Sequence, residues 1–142
     1  MITRTASARY EGLGKDGQGH VSTQSGVLAE QPYGFNTRFE DEPGTNPEEL
    51  IAAAHAACFT MALSFALARE GLTEGTLETT AEVKVDKDGD GFKVSRSDLS
   101  LRAQVTGIDE ARFRQIAEHA KAGCPISKLL NAEIGFEFTL NA

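Results

Sequence analysis

The sequence predicts an α+β fold, a largely antiparallel sheet packed around a long central helix and a second helix. Three observations predict it. Strand-like alternation and helical spacing come in blocks rather than taking turns, which separates α+β from α/β. One long apolar stretch carries both the start and the stop signals of a helix. Two alternating runs are joined by a turn rich in Gly and Asp, the pattern of an antiparallel pair. At 142 residues the chain suits a single domain, 1–142, with room for a core that needs no disulfide or metal staple.

From residue 1 to about 39 the chain is polar and rich in Gly, Ser and Thr, and runs such as His20-Val21-Ser22-Thr23 predict short strands and turns. Gln31-Pro32-Tyr33-Gly34 is a turn signal, and Glu40-Asp41-Glu42-Pro43-Gly44 a solvated acidic loop. The first helix follows. Asn46 is its N-cap, Pro47 takes the first helical position, and Glu49 completes a capping-box pattern. Glu48 and Glu49 complement the positive end of the helix dipole. The helix runs to about residue 70, with Gly71 as a left-handed stop. Ile51, Phe59, Met61, Leu63, Phe65 and Leu67 among alanines make it apolar around most of its circumference, so it is expected to lie inside the protein on all sides. Residues 77–85 and 92–105 alternate as the antiparallel pair, turning at Asp88-Gly89-Asp90-Gly91. Asp109 caps a second helix, 110–122, with Phe113, Ile116, Ala117 and Ala120 at helical spacing, and Gly123 stops it. Pro125 opens a short third helix, 126–131, and 133–140 alternates as a closing strand.

Hydrophobic residues make up 40% of the chain and charged residues 25%, an ordinary composition for a folded protein. A net charge of −7 with no Lys/Arg cluster argues against nucleic acid and against a membrane surface as partners. The first residues lack an apolar run that would serve as a signal peptide. The alanine-rich stretch 50–68 is interrupted by His55, Thr60 and Ser64, which suits a buried helix better than a membrane span. The expected location is cytoplasmic, a reducing compartment where two cysteines serve something other than a permanent staple.

Those cysteines stand in unlike settings. Cys58 lies mid-helix in His55-Ala56-Ala57-Cys58, whereas Cys124 precedes Pro125 at a helix start, where unpaired N–H groups favour a thiolate. Two readings stay open at this point: a working pair, or two small buried hydrophobes. Three residues before Cys58, His55 is either its partner across one helical turn or a satisfied core histidine. Cys58, Cys124 and His55 lack the paired short spacings of a zinc site. Arg38 fits a surface ion pair and Glu48 a capping role equally well. No phosphate loop, dinucleotide fingerprint or Ser-His-Asp motif is present.

The same residues carry a resemblance. Gln31-Pro32-Tyr33-Gly34-Phe35-Asn36-Thr37-Arg38-Phe39-Glu40, Gly44-Thr45-Asn46-Pro47-Glu48-Glu49-Leu50, Ala53-Ala54-His55-Ala56-Ala57-Cys58 and Lys121-Ala122-Gly123-Cys124-Pro125 resemble the signature segments of the OsmC family, whose relatives include the organic hydroperoxide resistance proteins. Val21-Ser22-Thr23 and Ser25-Gly26-Val27-Leu28 extend the likeness over nearly the whole chain. Arg38 arriving after the Tyr-Gly-Phe-Asn-Thr run resembles the osmotically inducible branch. The resemblance implies an OsmC-like fold and an intertwined homodimer with active sites at the subunit interface. It implies a thiol-dependent peroxidase that reduces organic hydroperoxides, and hydrogen peroxide more weakly, in oxidative and osmotic stress. Cys58 then corresponds to the peroxidatic cysteine and Cys124 to the resolving one, with Arg38 and Glu48 activating the first. No bound cofactor is implied. The reductant would be an external dithiol, a lipoylated protein or dihydrolipoamide.

The residue types suit that chemistry. Only a thiolate attacks a peroxide, and burial mid-helix opposes the anion, so a cation must offset it. Arg38 cannot lose its proton, and Glu48 can hold its guanidinium in place. An apolar pocket using Phe35, Phe59 and Met61 would explain a preference for organic peroxides. Glu48 and Cys58 are separated by ten helical residues, about 15 Å of axis, so one arginine is not expected to touch both in one chain. Glu48 acting on the Cys58 of a second chain is the expected solution. The competing readings are a non-catalytic protein that binds a small hydrophobic ligand and a redox sensor.

Overall fold

Residues 1–142 are described by the computed structural model, and they divide into two units, Met1–Leu50 and Ile51–Ala142. The class is α+β, with two three-stranded sheets and four helices. In the first unit β1 (Ala6–Glu11), β2 (Gln18–Thr23) and β3 (Gln31–Tyr33) form an antiparallel sheet in that order. The turn expected at residues 31–34 is instead β3, followed by a short helix, α1 (Phe35–Phe39), that no sequence signal announces. Pro32 is tolerated because β3 is an edge strand, where a missing N–H interrupts no ladder. The Thr37 hydroxyl then accepts the Gly34 N–H at 2.7 Å and folds the chain into α1.

Helix α2 (Pro47–Arg69) begins where the capping signals put it. Asn46 Oδ1 accepts the Glu49 N–H at 2.8 Å. The reciprocal half of the capping box is replaced, because the Glu49 carboxylate accepts the Thr45 hydroxyl at 2.8 Å. At the far end Gly71 takes φ 89°, and the N–H groups of Gly71 and Leu72 return to the carbonyls of Ala68 and Leu67, a Schellman stop.

In the second unit β4 (Thr76–Asp88) and β5 (Gly91–Gln104) form a long antiparallel hairpin. Helices α3 (Glu110–Gly123) and α4 (Pro125–Leu129) then carry the chain to β6 (Glu133–Leu140), which pairs with β5 in parallel. A parallel neighbour needs such a crossover, and α3 with α4 supplies it. Inward residues of β5 alternate as Ser97, Leu99, Leu101 and Ala103. They meet Phe59, Leu63 and Leu67 of α2 and Phe113, Ile116, Ala117 and Ala120 of α3 in one core cluster. Phe59 stacks edge-on against Phe136 at 5.3 Å, and Phe113 packs against Phe138 at 5.2 Å.

The expectation that α2 is enclosed on all sides is not met within the chain. Its fully buried residues are His55, Phe59, Leu63 and Leu67, a single stripe at intervals of one turn. Ala53, Ala54, Ala57, Met61 and Phe65 are exposed, with Met61 56% and Phe65 60% accessible. The physical reason is that the chain's own core covers one face of a helix that is apolar on several. Length and a mean hydropathy of 1.9 would alone suit a membrane span. The Phe59 stripe, however, has its place in the core of this fold.

Candidate active site

Asn46 and Pro47 set the phase of α2 so that His55 falls on the buried stripe and Cys58, three residues on, lies beside it. Cys58 is half-buried and Cys124 has no accessible surface. Gly123 ends α3, and Cys124 is the N-cap of α4 with Pro125 behind it at the first helical position. Its backbone takes φ −59° and ψ 125°, which leaves the helical path and sends the side chain into the core beside α2. Both cysteines are free thiols, Cys124 lies in the core cluster with Cys58 packed against it, and each influences the ionisation of the other.

Their electrostatic settings differ in sign. Burial pushes the Cys58 thiol up, the hydrogen bond with Cys124 pushes it further, and the Ile126 N–H works against both. Within Ile51–Ala142 no cation acts on it. Burial also opposes the Cys124 thiolate, yet donors outweigh it: the Cys58 thiol, the N–H and hydroxyl of Ser127, and the Ile126 N–H together hold Cys124 below the ordinary thiol range. Because the two thiols interact directly, they lose protons as a pair, and the first charge settles where the donors are.

His55 is fully buried, with Nδ1 2.6 Å from the Ser97 hydroxyl and Nε2 2.8 Å from the Ser127 hydroxyl. Both ring nitrogens are therefore occupied, and the alternative in which His55 pairs directly with Cys58 is ruled out. Burial holds its pKa below the usual histidine value, so the ring is neutral. Ser97 and Ser127 are site residues that sequence reasoning misses. They lie 42 and 72 residues from His55, and nothing local marks either one.

In the first unit the Arg38 guanidinium binds the Glu48 carboxylate, Nε to Oε1, at 2.5 Å. Glu48 is only 14% accessible, and Arg38 lies over the Phe39 ring at 5.2 Å. The structure thus joins Cys58 to Cys124 and Arg38 to Glu48. Each residue expected to line an apolar pocket is placed within its own unit. Phe59 is sealed in the core against Phe136, Met61 is on the exposed face of α2, and Phe35 packs on Phe39 in the first unit. No group of three or more His, Cys, Asp or Glu side chains is placed to hold a metal ion.

The profile of a family described as OsmC-like protein matches residues 39–139. A protein named peroxiredoxin OsmC from Escherichia coli (strain K12) is 52% identical over 141 residues, 99% of each chain. The organic hydroperoxide resistance protein OhrB of Bacillus subtilis (strain 168) is 28% identical over 123 residues, 86% of this chain and 88% of its own. The crystal structure of the Bacillus subtilis protein superposes with a TM-score of 0.73 at 29% identity, covering 97% of this chain and 98% of that one. An OsmC-like protein of unknown function from Vibrio cholerae, at 14% identity and a TM-score of 0.78, shares the fold, covering 98% of this chain and all of its own.

Proposed function

The chain belongs to the OsmC family and is a thiol-dependent peroxidase, and from that premise we infer that Cys58 attacks the hydroperoxide and Cys124 resolves the product. The observation that carries this is the meeting of two free thiols, one half-accessible and one sealed, at the junction of α2 and α4. The Cys58 thiolate displaces alkoxide from ROOH, leaving Cys58–SOH, and the alkoxide takes a proton to become the alcohol. The Cys124 thiolate then attacks the sulfenic sulfur and expels hydroxide, which is protonated to water, closing the disulfide. An external dithiol of the lipoyl type reopens it by exchange, returning both thiols. Organic hydroperoxides are the preferred substrate class, in keeping with the name of the Bacillus subtilis relative.

Cys58 needs a cation that its own surroundings do not provide. Arg38, held by Glu48, is assigned that role, because its planar fork suits both the thiolate and the departing alkoxide. With Glu48 and Cys58 ten residues apart on α2, the arginine is assigned to the Cys58 of a second chain. The exposed face with Ala53, Ala57, Met61 and Phe65 supports a homodimer, since a second copy would cover it. The site of action is the cytoplasm, where a thiol cycle can be kept reduced. Kinship across the whole chain with a named peroxiredoxin does not favour the ligand-binding or redox-sensing readings.

The test is turnover of cumene hydroperoxide with dihydrolipoamide as reductant. Wild type turns over, and a mixture of Glu48→Ala and Cys58→Ala chains recovers activity that neither variant has alone. Turnover by Cys58→Ser at the wild-type rate would end the peroxidase assignment, and mixed chains without recovery would end the shared site.

A further inference from the structure

Arg38, the cation assigned to Cys58, stands on a helix too short to hold itself. Helix α1 has five residues, little more than one turn, so the costly nucleus of a helix is barely complete and its shape needs support from outside. One support is local. The Thr37 hydroxyl accepts the Gly34 N–H at 2.7 Å and donates to the Gly34 carbonyl at 3.1 Å. The Arg38 N–H donates to that same carbonyl at 3.1 Å.

The other support comes from the start of α2. Asn46 is half-buried with both ends of its amide in use: Oδ1 accepts the Glu49 N–H at 2.8 Å, and Nδ2 donates to the Thr37 carbonyl at 3.3 Å. These two bonds fix the amide's orientation, since a flipped amide would set donor against donor at Glu49 and oxygen against oxygen at Thr37. The planar peptide unit joining Thr37 to Arg38 is thus held at both ends, its N–H by Gly34 and its carbonyl by Asn46. The loop between the helices closes tightly on the same place. The Thr45 N–H donates to the Pro32 carbonyl at 2.9 Å, and a Cβ on Gly44 would stand 2.5 Å from that oxygen and 2.8 Å from the Thr37 methyl. All of these residues lie in Met1–Leu50, as does the Arg38–Glu48 ion pair.

We propose that Asn46 and Thr37 are positioning residues that fix the peptide unit leading into Arg38 and so set its guanidinium on Glu48. The consequence for Cys58 rests on the role given to Arg38 under the peroxidase reading; the hold on α1 does not. A charge that stabilises an anion has to stand in place before the reaction begins. Arg38 is exposed and its stem is long, so Glu48 can fix the guanidinium only if both side chains start from backbones a set distance apart. Asn46 supplies that link between α1 and α2. Ser and Asp cap a helix as well as Asn does, but neither has a second arm carrying an N–H donor.

The experiment pairs amide hydrogen exchange of the full-length reduced protein, followed by NMR without peroxide, with stopped-flow oxidation of Cys58 by cumene hydroperoxide. Asn46→Ser keeps the cap of α2 and removes the donor to Thr37. Exchange of the Arg38 and Glu40 N–H groups should speed up about tenfold, the loss of one hydrogen bond, while the interior of α2 stays protected. Oxidation of Cys58 should slow about tenfold, and no further slowing should appear when Arg38→Ala is already present, a dependence that general destabilisation would not produce. Thr37→Val should act like Asn46→Ser, and Thr37→Ser, which keeps the hydroxyl, should restore both readings. That pair decides the matter should Asn46→Ser fail to fold. Unchanged exchange at Arg38 and Glu40 overturns the hold on α1. Faster exchange with undiminished oxidation, or a slowing that persists in the Arg38→Ala background, overturns the positioning role. A wild type that consumes no hydroperoxide would end the peroxidase reading, and the exchange result would still decide whether Asn46 and Thr37 hold α1.

Discussion

The two cysteines meet in one place but are built on opposite principles. Cys58 lies in the middle of α2, where every N–H is spent on the helix, and half-burial drives it toward the neutral thiol. Cys124 is more deeply buried, yet the Cys58 thiol first, and then the donors of the helix start at Ser127 and Ile126, hold it toward the thiolate. Depth alone therefore does not set thiol acidity here; the supply of donors does. The teaching for function is that the donors around Cys124 come from its own chain, whereas burial raises the Cys58 pKa with no cation among the causes, which is the ground for proposing Arg38 as its partner.

That contrast can be broken most forcefully at the sulfurs. Cys58→Ser is expected to cut hydroperoxide consumption by at least about a thousandfold, because the nucleophile itself is gone. Cys124→Ser is expected to consume one equivalent and stop, leaving a sulfenic acid that dimedone traps and that mass spectrometry locates at Cys58. Next in size is Arg38→Ala, expected to slow oxidation of Cys58 by about a hundredfold in stopped-flow measurements, the usual cost of losing one charge-stabilising donor. The same change should leave the titration of Cys124 in the Cys58→Ser background unmoved. Were both cysteines to respond equally, their independence would be lost.

Two smaller effects sharpen the contrast. Met61→Glu places a charge on the exposed face of α2, and sedimentation should show dimer affinity weakened by at least about tenfold. Oxidation of Cys58 should then slow at low protein concentration while Cys124 titrates as before. The smallest effect probes the buried histidine of α2. Burial lowers the pKa of His55 from the ordinary 6.5, so the unfolded chain takes up the proton first as pH falls. Its contribution to stability is intact above that value and is lost as pH drops from there toward the folded value. Melting temperature should fall across that window, and less steeply in His55→Gln.

The parts of this design visible in the sequence are those set by near neighbours. Asn46-Pro47 and Gly71 bracket α2, Asp109 and Gly123 bracket α3, and period-two alternation marks β4, β5 and β6. The direction of β6 is not visible, since alternation is the same for parallel and antiparallel strands. Residues 31–34 read as a turn because Pro32 and Gly34 are turn formers, but an edge position makes the proline harmless. At the site, the place of Cys124 at a helix start can be read from Pro125. The hydroxyls that claim His55 cannot, because Ser97 and Ser127 come from distant strand and helix and carry no spacing signal.

Intact mass after a single equivalent of organic hydroperoxide tests the central claim most directly. The reduced chain should lose two hydrogen atoms as Cys58 joins Cys124, and neither Cys58→Ser nor Cys124→Ser should show that loss. An unchanged mass, or a gain of oxygen at Cys58 that persists with Cys124 present, would contradict the pairing of these two sulfurs.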